Sequence, residues 1–121
     1  MKRAIILSLS LLILSCVGKI YDIELSTNNI VFTPAESSYV VTSDVDLAID
    51  FVNENGSSYD VPSADKYNLL YEGEWITVTN YGTAILIEVS ENISGETRTA
   101  LISLRDKSNP NNAGQINVIQ E

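Results

Sequence analysis

A single thiol and a complete absence of histidine bound the chemistry this sequence can carry. Without imidazole there is no Ser-His-Asp or Cys-His constellation, no common zinc ligand and no near-neutral proton switch. The lone Cys16 cannot close an intramolecular disulfide. Carboxylates are plentiful, and Asp44, Asp46 and Asp50 lie close together in sequence. Clustered oxygens suit calcium, but no EF-hand spacing is present, so the sequence predicts a solvated loop there, with no metal and no cofactor. Glycoside hydrolysis needs two carboxylates held at a set separation across a cleft. A chain of 121 residues has little room for a cleft, and nothing marks a pair, so no catalytic residue is assigned. Aromatic rings remain. The CH face of a sugar ring packs on an exposed Trp or Tyr while its hydroxyls find polar partners. Trp75 opens a strand on the face opposite Ile76 and Val78, a parity that could expose it, but strand starts often bend and it is expected to be buried. Tyr59, Tyr67, Tyr71 and Tyr81 fall in connections and are the candidate sugar-contacting residues, against the alternative of edge packing with a wet hydroxyl. Arg98 shares the parity of Ala100 and Ile102, which aims it at the core from a strand end. Stacking or a salt bridge that fixes the turn is expected of it in preference to ligand recognition.

The elements that must position these residues are strands. From Ile23 onward the apolar period is two. Ile23 and Leu25 alternate with polar neighbours, Ile30 and Phe32 form a short run stopped by Pro34, and Tyr39 to Thr42 is rich in β-branched residues. Leu47, Ile49 and Phe51 are expected on one face. The segment 53–58, with Asn55-Gly56, reads as a turn, and 59–73 as a long connection with one short edge strand near Tyr67–Tyr71. Trp75 to Thr79 is the next strand, followed by a turn at Asn80-Tyr81-Gly82. Ile85, Ile87 and Val89 share a face, residues 91–96 turn, Ala100, Ile102 and Leu104 alternate, and 106–114 is a polar loop before a last strand with Ile116 and Val118. Short alternating strands with turn signals every eight to twelve residues predict an all-β, two-sheet sandwich.

The first fifteen residues differ from the rest. Met1-Lys2-Arg3 is followed by a mostly apolar run from Ala4 to Leu14, too short to span a bilayer, which takes about twenty residues. This is the pattern of a secretory signal helix. Ile13-Leu14-Ser15-Cys16 resembles the bacterial lipobox, which implies diacylglycerol attachment to the Cys16 thiol, cleavage before it, and a short lipidated tether over 16–22. Each acyl CH₂ that enters the membrane contributes about 0.8 kcal/mol, so two or three chains anchor durably. Position 17 is Val rather than Asp, which by the same resemblance favours the outer membrane, on a face the sequence does not specify. Without residues 1–15 the chain keeps five basic against sixteen acidic residues. That balance disfavours nucleic acid and electrostatic adsorption to anionic lipid, leaving the lipid at Cys16 as the expected membrane attachment.

Several motifs in residues 75–120 are similar to those of the BACON domain, an immunoglobulin-like sandwich of gut Bacteroidetes. Trp75-Ile76-Thr77-Val78 resembles its tryptophan strand. Leu86-Ile87-Glu88-Val89 before Ser90-Glu91-Asn92 resembles the strand ending in an Asn turn. Arg98-Thr99-Ala100-Leu101-Ile102-Ser103-Leu104 resembles its Arg-x-Ala-x-Ile-x-Val strand, and Gln115 to Gln120 its closing strand. The resemblance implies an immunoglobulin-like β-sandwich over 23–121 and a non-enzymatic, glycan-associated binding or accessory role, with a glycan or an envelope protein as partner. A structural spacer or protein-interaction domain without carbohydrate ligand is the alternative.

Overall fold

The computed structural model describes residues 23–55, 57–60 as backbone, and 70–121. The leader, Cys16, Tyr67 and the Tyr59 side chain lie outside the described residues.

Nine strands form two sheets, and no helix occurs among the described residues. The strands are β1 (Asn29–Phe32), β2 (Ser37–Thr42), β3 (Leu47–Glu54), β4 (Ser57–Asp60), β5 (Leu70–Glu72), β6 (Ile76–Asn80), β7 (Ala84–Val89), β8 (Arg98–Asp106) and β9 (Ala113–Gln120). The five-stranded sheet has the order β1-β9-β8-β3-β4 and the four-stranded sheet β2-β7-β6-β5. Each expected strand of the second half is present, and its alternation is the physical cause. Ile76 and Val78, Ile85 and Ile87, Ile102 and Leu104, and Ile116 and Val118 are almost fully buried. They project from facing sheets into one core that also takes in Val41, Val52 and Trp75. Burying each such aliphatic side chain contributes about 1.5–3 kcal/mol, enough to select the strand faces.

Five expectations are corrected. Ile23 and Leu25 do not make a strand; Leu25 makes one isolated bridge to Ser43, and both side chains pack against the core rim. Phe51 does not share a face with Leu47 and Ile49, because a bulge between Ile49 and Phe51 shifts the register against β8. The buried parity passes from Leu47 and Ile49 to Val52 and Glu54, leaving Phe51 half-buried on the outer side. One extra residue in a strand has this effect because side chains alternate with period two. The turn expected over 53–58 is narrower: Glu54 pairs with Ser57, so the chain reverses between those two residues. Asn55 takes φ 50°, the left-handed conformation that a two-residue hairpin requires. The connection read from residue 59 accordingly begins later, since β4 pairs with β3 through Asp60. Finally, the loop expected over 106–114 ends at Asn112, where β9 begins one residue on.

The edge strand expected near Tyr67–Tyr71 is β5, Leu70–Glu72, paired with β6. β1 runs parallel to β9, with Asn29 opposite Asn117 and Phe32 opposite Gln120. β2, next in sequence, lies in the other sheet. The chain therefore crosses between layers within residues 33–36, and the backbone carbonyls released there need partners.

Candidate functional site

The Asn92 N–H reaches the Pro34 carbonyl at 2.7 Å, and Gln120 supplies the further partners. Its side chain is fully buried, and Nε2 faces the carbonyl oxygens of Thr33 at 3.2 Å, Pro34 at 3.2 Å, Ala35 at 3.3 Å and Ser90 at 2.9 Å. Its Oε1 accepts from Arg98 Nε at 2.9 Å. Arg98 Nη2 donates to the Ser90 carbonyl at 2.9 Å and reaches the Glu91 carbonyl at 3.3 Å. The guanidinium lies 4.8 Å from the centroid of the Trp75 ring, a cation–π contact. Burial lowers the Arg98 pKa from its ordinary value without discharging it. Trp75 is 5% exposed, as expected, and its Nε1 is buried without a partner among the described residues. These three residues join the two sheets at one end of the sandwich. Their contacts are all internal, so Arg98 has the stacking role its parity predicts.

Of the candidate tyrosines, the two described, Tyr71 and Tyr81, stand in different settings. Tyr71 packs half-buried against the core, and its hydroxyl donates to Glu54 Oε2. Glu54 Oε1 accepts from the Glu74 N–H at 3.2 Å, and Gly73 passes so close to this carboxylate that a side chain there would collide with it. Tyr81 is 66% exposed in the β6–β7 turn. That turn is organised by Asn80, whose Oδ1 accepts from the Gly82 N–H at 2.8 Å and whose Nδ2 donates to the Leu47 carbonyl at 2.9 Å.

Asp44 of the β2–β3 connection and Asp50 within β3 are likewise engaged separately. Asp44 Oδ1 accepts from the Glu24 N–H at 3.1 Å, while Asp50 pairs with Arg105 Nε at 3.1 Å. Among the described residues no group of three carboxylate or thiol ligands comes together. The Asp106 carboxylate is held below the usual range, first by the Ser108 N–H and then by the Ser108 hydroxyl and Asn112, partly opposed by desolvation.

Sequence reasoning missed the outer face of the five-stranded sheet. Cross-strand register places Asn29, Asn117, Leu101 and Asn53 in one row over β1, β9, β8 and β3. Val31, Ile119 and Thr99 form the row beside it, and Gln115, Ser103 and Phe51 the row on the other side. None of these ten residues is ionisable. A shallow hollow of about 230 Å³ opens over Leu101, walled by Asn29 and Asn117 on one side and Asn53 on the other. The signal was present as asparagines at outward parity, but a row spread over four strands appears only once register is known.

No family model matches the chain, and no curated protein matches it. Among solved structures it is similar to a Bacteroides thetaiotaomicron protein determined by NMR, with TM-score 0.69 and 13% identity over 86% of this chain and 90% of that one. It is also similar to part of a Bacteroides ovatus GH5 xyloglucanase solved in complex with a XXXG heptasaccharide, with TM-score 0.51 and 18% identity over 83% of this chain. The match spans 19% of the xyloglucanase. At these identities the likeness is one of fold.

Proposed function

We propose that this chain is a non-catalytic, immunoglobulin-like sandwich of the BACON type, tethered to the outer membrane through lipidated Cys16, and that it serves as a glycan-associated accessory module. The observation that carries this reading is that the more buried carboxylates among the described residues are engaged within the fold. Glu54 holds Tyr71 and the Glu74 amide, Asp50 holds Arg105, and Asp106 holds its own turn. The exposed sheet surface then suits surface contact, while no carboxylate pair across a cleft is seen among the described residues. The occurrence of a similar sandwich as a minor part of a xyloglucanase supports the glycan association. A glycan array probed with the full-length protein tests it: retention on neutral plant or mucin-type glycans is expected, together with chromogenic glycoside turnover no higher than buffer. The spacer reading is favoured by the burial of Trp75 and the engagement of the Tyr71 hydroxyl, and an array without any retained glycan would leave it standing.

A further inference from the structure

We infer that the outer face of the five-stranded sheet is a binding surface for a neutral, hydroxyl-rich polysaccharide chain lying across β1, β9, β8 and β3, a refinement that rests on the glycan-associated reading above. The argument begins with charge. The chain carries a net charge of −9, yet over β1, β9, β8 and β3 the three adjoining rows hold no ionisable residue; Asp60, opposite Phe51, stands on the edge strand β4, and the Arg105–Asp50 ion pair lies beyond the rows. An ionised side chain under an uncharged ligand would be desolvated without a counter-charge, at a cost of several kcal/mol. A carboxamide is far less costly to cover and offers both donors and acceptors. Hydroxyls need that dual capacity, because each both donates and accepts.

Geometry supplies the second part. Asn29 and Asn117 are exposed, and Asn29 Nδ2 is steadied by Asn28 Oδ1 at 3.3 Å. Between these amides and Asn53 the floor is Leu101, half-buried, continued by Ile119 and Val31. An apolar floor between amide walls matches a sugar ring, which has a CH face and a rim of hydroxyls. Four adjacent strands at about 4.8 Å spacing set the outer amides about 14 Å apart, the span of a short oligosaccharide rather than of one ring. Acidic glycans are disfavoured because the whole molecule repels them. A second copy of the chain is disfavoured on the same ground.

The test uses full-length protein in detergent micelles, titrated calorimetrically with xyloglucan heptasaccharide, with a neutral mannan, and with polygalacturonate. At least one neutral saccharide should bind and polygalacturonate should not. The Asn29→Ala/Asn117→Ala double variant should weaken binding at least about fivefold, the effect of one or two lost hydrogen bonds, while Tyr81→Ala leaves it unchanged. Both asparagines are exposed, so the fold is retained and circular dichroism checks it. Neutral-glycan binding that survives the double variant overturns this face and leaves the accessory reading intact. Failure of the wild type to bind any neutral saccharide, or binding of polygalacturonate as tight, overturns the inference. So does a dimer that the same double variant dissociates. Glycoside turnover above buffer would instead overturn the accessory reading itself.

Discussion

At the scale of single residues, Gln120 has the most to lose. Its buried amide has two N–H donors facing the Thr33, Pro34, Ala35 and Ser90 carbonyls, and its Oε1 accepts from Arg98 Nε. In Gln120→Ala the Pro34 carbonyl keeps the Asn92 N–H and the Ser90 carbonyl keeps Arg98 Nη2, but the Thr33 and Ala35 carbonyls and Arg98 Nε lose the amide, each at about 1–3 kcal/mol before relaxation. We expect it to destabilise the fold by about 3 kcal/mol or more, read as a lower urea midpoint. Tyr71→Phe removes one donor to the buried Glu54 and should cost about 1–2 kcal/mol in the same assay, without effect on glycan retention. Asp106 sets a pH dependence. Its folded pKa is depressed, so its contribution is fully present above the unfolded carboxylate value of about 4 and is lost as pH falls through the lower folded value. Melting temperature followed from pH 5 downward should fall less steeply in Asp106→Asn than in the wild type. The inward aim of Arg98 was legible from strand parity; the burial of Trp75 was expected against its parity, since adjacent Trp75 and Ile76 are both buried where β6 begins. The commitment of Tyr71 was not, because its partner Glu54 stands seventeen positions away on the other sheet.

At the scale of elements, alternation foretold the strands wherever parity ran uninterrupted, as in β6, β7, β8 and β9. It failed in β3, where a bulge no residue type announces exchanges the two faces midway. Phe51 was misplaced for that reason alone. The Asn55-Gly56 signal was read correctly as a turn but too broadly, since Ser57 and Ser58 carry no strand propensity of their own and are held by pairing with Glu54 and Asn53. This hairpin makes Asn55 doubly constrained: its φ is 50° and its Oδ1 accepts from the Thr99 N–H at 2.9 Å. Asn55→Ala should therefore cost about 1–2 kcal/mol for the left-handed backbone in addition to the lost bond. Asn55→Gly should recover the backbone part in chemical denaturation, and equal losses in the two variants would show that conformation is not the cause.

At the scale of the whole molecule, composition excluded histidine chemistry and an intramolecular disulfide before any fold was considered, and the sandwich followed from strand count and turn spacing. The neutral face was illegible there, because net charge is a sum and says nothing of where the charges are missing. The proposed anchor makes a separate prediction: wild-type protein should partition into the detergent phase, and Cys16→Ala should move it to the aqueous phase. Equal partitioning of the two would sink the lipid tether. The parallel pairing of β1 with β9 carries a mechanical consequence. Ile23 meets the start of β9 through the Ala113 carbonyl, while Glu121 donates its N–H to the carbonyl of Phe32 at the far end. Tension drawn between the leading and trailing ends of the domain thus runs along both strands and loads their cross-links in shear, so they must yield together rather than peel open one by one.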